Sequence, residues 1–216
     1  SRLSFPFLGW VDAAVIGHLV HAWYLEGVAL GGTMISVSFW LLGFLRMATT
    51  GLTAQATGAK SGEQLCLVLL QGLMMAGIFA LLFLSLHPWI SEWVFALSDA
   101  SEQVKIYGQQ YFSIRVWSAP AALANFVILG WLLGTQNAKA PMWIVIVSNL
   151  TNIMLDLLFV MGFGWKVEGA ALASVLADYT GMSLGLFFVY RTWIKLTLPS
   201  VFSQLGSLTT GIGPVS

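Results

Sequence analysis

Apolar residues fill this chain in runs of about 20, separated by short polar stretches. A run of that length matches the hydrocarbon thickness of a bilayer and exceeds what a buried strand needs. The runs are continuous, not ten-residue segments of alternating character, so they read as helices and not as the strands of a membrane barrel. Windows of this kind predict six membrane-spanning helices, at about 1–18, 28–55, 66–90, 104–135, 141–163 and 168–193. The first is short at its start. The fourth opens on YGQQYFSIRVWS (107–118), so its first turns are expected to stand clear of the hydrocarbon.

Composition agrees. Of the 216 residues 58% are hydrophobic and 8% charged, far fewer charges than the roughly 25% of soluble domains. A soluble fold is excluded, and the class is an all-α integral membrane protein. Ten Trp and five Tyr suit interfacial belts. Nine basic and nine acidic residues cancel, which argues against a nucleic-acid partner. The single cysteine, Cys66, allows no internal disulfide and reads as a small apolar helix residue. The chain opens at Ser1 within an apolar stretch and shows no charged region followed by a cleavage site, so its natural start is expected upstream.

Lysine and arginine set the expected orientation. Lys60, Lys139, Arg191 and Lys195 fall on one set of connections, against Lys105 and Lys166 on the other. That bias places the 56–65 and 135–140 loops and the C-terminus in the cytoplasm. Pro6 and Pro120 lie inside the first and fourth spans and should bend them, serving either a binding site or packing alone. Pro141 sits where a helix opens. Glycines such as Gly27, Gly31, Gly130 and Gly134 suit close helix approach.

Against this background, two acids stand out. Asp12 lies in FPFLGWVDAAVIG (5–17) and Asp156 in PMWIVIVSNLTNIMLDLLFVMGFG (141–164). An ionisable group at membrane depth is costly and marks an ion path, a proton relay or a substrate site. Asn152 lies four residues before Asp156, on the same helical face. Counting 1.5 Å per residue from the span ends puts Asp12, Asp156 and Ser174 at one depth, about 9–10 Å in. Spans five and six are antiparallel neighbours, which allows Asp156 and Ser174 to meet. Carboxylate, amide and hydroxyl oxygens suit Na⁺, and neighbouring carboxyls in low dielectric also hold a proton. The competing reading is that Asn152 and Ser174 merely fasten helices together.

Asp178, four residues after Ser174, either extends a relay inward, faces a water-filled cavity or pairs with an arginine such as Arg46 or Arg115. Arg46 is either such a partner or a substrate-side charge. Glu92, Asp99, Glu102 and Lys105 read as a solvated outer face. His18 and His21 lack further ligands for a metal site, and His87 before Pro88 reads as a cap at the end of the third span. No phosphate loop, GxSxG, CxxC pair or HExxH occurs, so neither an enzyme nor an ATP-driven pump is indicated.

The segments GWVDAAVIGHL (9–19), FLRMATTGLTAQATGAK (44–60), SAPAALANFVILGWLLGTQNAKAP (118–141), NLTNIMLDLLFVMG (149–162) and EGAALASVLADY (168–179) resemble the multidrug and toxic compound extrusion (MATE) family, in its DinF-like branch. The resemblance covers about residues 5–195. It implies an inner-membrane antiporter that expels organic, often cationic, compounds in exchange for Na⁺ or H⁺, with twelve helices in two lobes. It implies an N-lobe cation site at Asp12, Asn152, Asp156 and Ser174, the serine standing where threonine is common. If the coupling ion is Na⁺, its ligands include Asp12, Asn152 and Asp156. Residues 1–195 then form one six-helix lobe and 196–216 an inter-lobe linker or irregular tail. Its partners would be membrane lipid, small organic substrates, and a missing C-terminal lobe or second copy. The alternatives are a flippase for lipid-linked saccharides and a membrane fragment that does not transport.

Overall fold

The computed structural model describes residues 22–210, with side chains over 24–196. The first predicted span, with Pro6, Asp12, His18 and His21, lies outside the described residues. The described chain forms seven α-helices: α1 (Ala22–Leu41), α2 (Phe44–Gly58), α3 (Gly62–Leu97), α4 (Glu102–Arg115), α5 (Ala119–Gly134), α6 (Lys139–Asp156) and α7 (Val167–Thr210). A 3₁₀ turn at Val116–Ser118 joins α4 to α5, and a π-helical turn, Leu157–Gly162, extends α6.

These elements make five stretches long and apolar enough to cross a membrane: Tyr24–Gly58, Gly62–Leu97, Glu102–Gly134, Lys139–Gly162 and Val167–Leu196. They match the second to sixth predicted spans one for one. Two of the spans are broken helices. The first bends at Leu42–Gly43, where Leu42 and Gly43 donate to carbonyls only three residues back. In the other, α5 begins just before Pro120. The Ala119 N–H bonds the Val116 carbonyl, the acceptor that Pro120 has no N–H to reach, and the proline falls in the first turn of a new helix.

Two expectations need correction. The third span does not end at His87 and Pro88, because α3 runs on to Leu97. Pro88 removes the donor for the Leu84 carbonyl, and the His87 ring Nδ1 bonds that same carbonyl. A carbonyl only accepts, so Nδ1 carries the proton. The histidine thus caps a gap inside the helix and not a terminus. The tail is likewise helical through Thr210, not irregular. Its apolar residues Leu198, Val201, Phe202, Leu205 and Leu208 recur at helical spacing, a pattern that the surrounding serines and glycines obscure.

α5 is the centre of the bundle, packed on α2, α3 and α7, while α1 lies on α4 and α6 on α7. Two thirds (67%) of the best window in the Glu102–Gly134 span is buried, against 17% in α3, which forms the perimeter. Burying a helix this fully requires backbones to approach closely. A β-carbon added at Gly130 would lie 2.5 Å from the Arg46 carbonyl oxygen, and one at Gly134 would lie 2.5 Å from the Thr53 β-carbon. The two glycines, four apart, let α2 and α5 touch as small residues do in lipid. Gly27 and Gly31 serve the α1–α4 crossing in the same way, against Tyr107, Gly108 and Tyr111. Trp131 fills the remaining space and donates from Nε1 to the Leu65 carbonyl at 3.0 Å. Gly130→Val is expected to cost about 1–3 kcal/mol by overpacking. The check is a lowered unfolding midpoint in detergent relative to Leu133→Val, a change at an exposed position of the same helix.

Candidate functional site

The polar residues of the bundle interior gather where α6 and α7 meet. α6 contributes Asn152 and Asp156 from one face of its last turns, and α7 contributes Ser174 from its second turn. All three are fully buried. The Ser174 hydroxyl donates to Asn152 Oδ1 at 2.9 Å, and Asn152 Nδ2 donates to Asp156 Oδ2 at 3.3 Å. The chain of bonds fixes the amide's orientation, with its oxygen toward the hydroxyl and its nitrogen toward the carboxylate. It also ties α6 to α7, so the fastening role and the site role fall on the same atoms.

Asp156 is the last residue of regular α-helix. The π turn begins at the next residue, and Phe163 N–H reaches back five residues to the Leu158 carbonyl at 2.9 Å. Such turns hold one residue more than the α-helix around them and cluster at functional sites. Beyond it, the rings of Phe159, Phe163 and Trp165 pack on one another at 5.1–6.0 Å, closing that end of the α6–α7 pair. On the connecting loop, the Lys166 ammonium sits 5.0 Å from the Tyr24 ring centre. Its hydrogen bond to Tyr24 holds its pKa above the usual lysine value.

A second buried polar unit adjoins the first. Asp178, one turn after Ser174 on α7, accepts from an Arg115 guanidinium nitrogen at 2.8 Å, and the same nitrogen donates to the Ser118 hydroxyl. The arginine and aspartate side chains are 5% and 8% exposed. Asn125 Nδ2 donates to the Asp178 carbonyl at 3.3 Å, and the Tyr179 hydroxyl to the Trp117 carbonyl at 2.9 Å. The break between α4 and α5 therefore supplies one side of this unit. Of the two arginines considered for Asp178, Arg115 is the partner. Arg46 lies instead on α2, at its crossing with Gly130 of α5.

The structure thus brings together Asn152, Asp156 and Ser174, and sets Asp178 beside them in a different pairing. Asp12, the fourth predicted member, falls outside the described residues. Sequence reading missed Ser118, Asn125, Tyr179 and the π turn. Asn125, alone in the apolar run AALANFVILGW (121–131), carried the same signal as Asn152. Among the described residues no three His, Cys, Asp or Glu side chains gather.

One family accounts for this arrangement of broken helices and intramembrane polar groups. The profile of the MatE family matches residues 1–158. The chain belongs to the MatE family. It is 49% identical over 197 residues to the DNA damage-inducible protein F of Escherichia coli (strain K12), covering 91% of this chain and 42% of that protein. Its fold superposes on an inward-facing multidrug resistance MATE transporter of the MOP superfamily with a TM-score of 0.77 at 20% identity, over 92% of this chain and 50% of that one. A eukaryotic MATE transporter, AtDTX14, aligns with a TM-score of 0.80 at 18% identity, over 87% and 42%. The chain spans half or less of the length of each of these proteins. MatE relatives are transporters and not enzymes, in accord with the lack of any catalytic motif.

In this MatE chain the Arg115–Asp178 pair carries a sharp energetic signature. Arg115→Leu strands a buried carboxylate and is expected to cost about 3–5 kcal/mol, whereas Arg115→Leu with Asp178→Leu costs much less. Unfolding midpoints of the two single variants and the double variant close the cycle. Additive losses would show that the pair is not coupled.

Proposed function

We propose that this MatE chain forms one lobe of a cation-coupled antiporter of the inner membrane, which expels organic, often cationic, compounds in exchange for Na⁺ or H⁺. The coupling-ion site is Asp156, Asn152 and Ser174, completed by Asp12. The carrying observation is the fully buried hydrogen-bonded chain from Ser174 through Asn152 to Asp156. A carboxylate so desolvated has two states of low energy: bound to a cation, or protonated. Exchange between them links an ion gradient to a change in the packing of α6 on α7. Both coupling ions fit the donor set, since Na⁺ prefers hard oxygen ligands and a proton needs only the carboxylate.

Alternating access requires two lobes that rock about a shared cavity. The second lobe is either a C-terminal counterpart or another copy of this one, and the organic substrate occupies the space between lobes. The bias of Lys and Arg among the connecting loops supports a cytoplasmic C-terminal end for α7. Arg115 and Asp178 serve as an accessory pair that holds the α4–α5 corner against α7 beside the ion site.

Asp156→Asn keeps the hydrogen-bonding shape but removes the charge. Measured in cells and in vesicles, it is expected to reduce ion-dependent efflux at least about a hundredfold, the loss of a group on which coupling depends, while protein abundance in the membrane stays at the wild-type level. Imposing a Na⁺ gradient and a pH gradient separately identifies the ion. Efflux by Asp156→Asn at the wild-type rate and with the wild-type ion dependence would remove this residue from the coupling site.

A further inference from the structure

A groove of about 780 Å³ opens between the end of α3 and the start of α4. It lies away from the α6–α7 polar unit and plays no part in the coupling scheme. Its floor is aromatic, made by Phe95 and Phe112, both buried. Its walls are charged: Glu92 comes from α3, and Glu102 and Lys105 from α4. Sequence reading treats these charges as a solvated face. The fold instead folds them around one concavity. None of the three is ion-paired within 4.0 Å to another described residue, so charges of both signs face the groove unneutralised.

The depth of the groove narrows its occupant. Trp89 and Trp93 lie on α3 at the level of the groove, 61% and 70% exposed and directed away from the bundle. Exposed tryptophans on a membrane-spanning helix sit at headgroup level. α3 is also the perimeter helix, with most of its surface outside the bundle. The groove therefore meets the bilayer where lipid headgroups are. Two carboxylates oppose an anionic lipid, and Lys105 opposes a simple cation. Carboxylates and an ammonium together complement a zwitterion, and the aromatic floor suits both a cationic group and the apolar start of an acyl chain.

We propose that this groove is a binding site for the headgroup of a zwitterionic aminophospholipid, with the lipid ammonium at Glu92 and Glu102 and its phosphate at Lys105. The test uses the protein as expressed in its own membranes. It is purified in detergent, offered equal amounts of phosphatidylethanolamine and phosphatidylglycerol with identical chains, and its retained lipid is counted by native mass spectrometry. Wild-type protein is expected to retain phosphatidylethanolamine about fivefold or more over phosphatidylglycerol, the selectivity of roughly one favourable charge contact. Glu92→Gln with Glu102→Gln should abolish the preference, and Lys105→Gln should weaken phosphatidylethanolamine retention. Both glutamates are exposed, so the double variant is expected to fold, and an unchanged unfolding midpoint verifies it. Equal retention of the two lipids by wild type, or an intact preference in the double variant, would each overturn the proposal.

Discussion

Within the hydrocarbon of a bilayer no water is available to satisfy a polar group, so every buried donor and acceptor must find its partner in the protein. The interior of this bundle is organised around that constraint. Ser174, Asn152 and Asp156 satisfy one another in series. Arg115 is shared between Asp178 and Ser118. His87 replaces the backbone donor that Pro88 lacks. Each solution joins groups that an apolar surrounding would otherwise penalise by several kcal/mol. The first two join different helices and therefore hold them in one relative position more firmly than apolar contact between lipid-like side chains does, while the third repairs α3 from within.

Much of the irregular backbone falls in the same places. The α4–α5 break sits beside the Arg115–Asp178 pair, the π turn follows Asp156 without a spacer, and the α3 proline carries its own replacement donor. The bend at Leu42–Gly43 stands apart from these polar groups. Close packing at Gly130 and Gly134 joins α2 to α5, where the Thr57 hydroxyl also donates to the Gly134 carbonyl at 3.2 Å, and Gly185 of α7 packs on Ile128 of α5 beside the Asn125–Asp178 bond. Steric fit and hydrogen bonding thus act together around the central helix.

Much of this was legible in the sequence, for physical reasons. A 20-residue apolar run has few alternatives to a spanning helix, so five of the six predicted spans correspond to described ones. Asn152, Asp156 and Ser174 were found because polar residues in an apolar run are conspicuous and because depth can be counted from a span end. Their convergence needed only the antiparallel pairing of adjacent spans. The partner of Asp178 was not legible, since Arg46 and Arg115 are both one span or more away and only packing decides between them. The continuation of α3 past Pro88 was hidden because a proline ordinarily signals a helix end, and the compensating histidine bond depends on a side-chain rotamer. The charged groove was hidden for a related reason: charges near a loop read as solvated until two helices are seen to enclose them.

The π turn after Asp156 has a consequence for how α6 is numbered as a surface. An extra residue advances an α-helix by about 100°. Residues past the turn are therefore out of phase with a wheel drawn from Lys139, while Phe159 and Val160, three and four residues after Asp156, stay on its buried side. Angular position along this span cannot be transferred across the π turn by counting residues. A single deletion within 157–162 would act on α6 less as a loss of one side chain than as a rotation of the whole aromatic end about the helix axis, with the acid as the pivot.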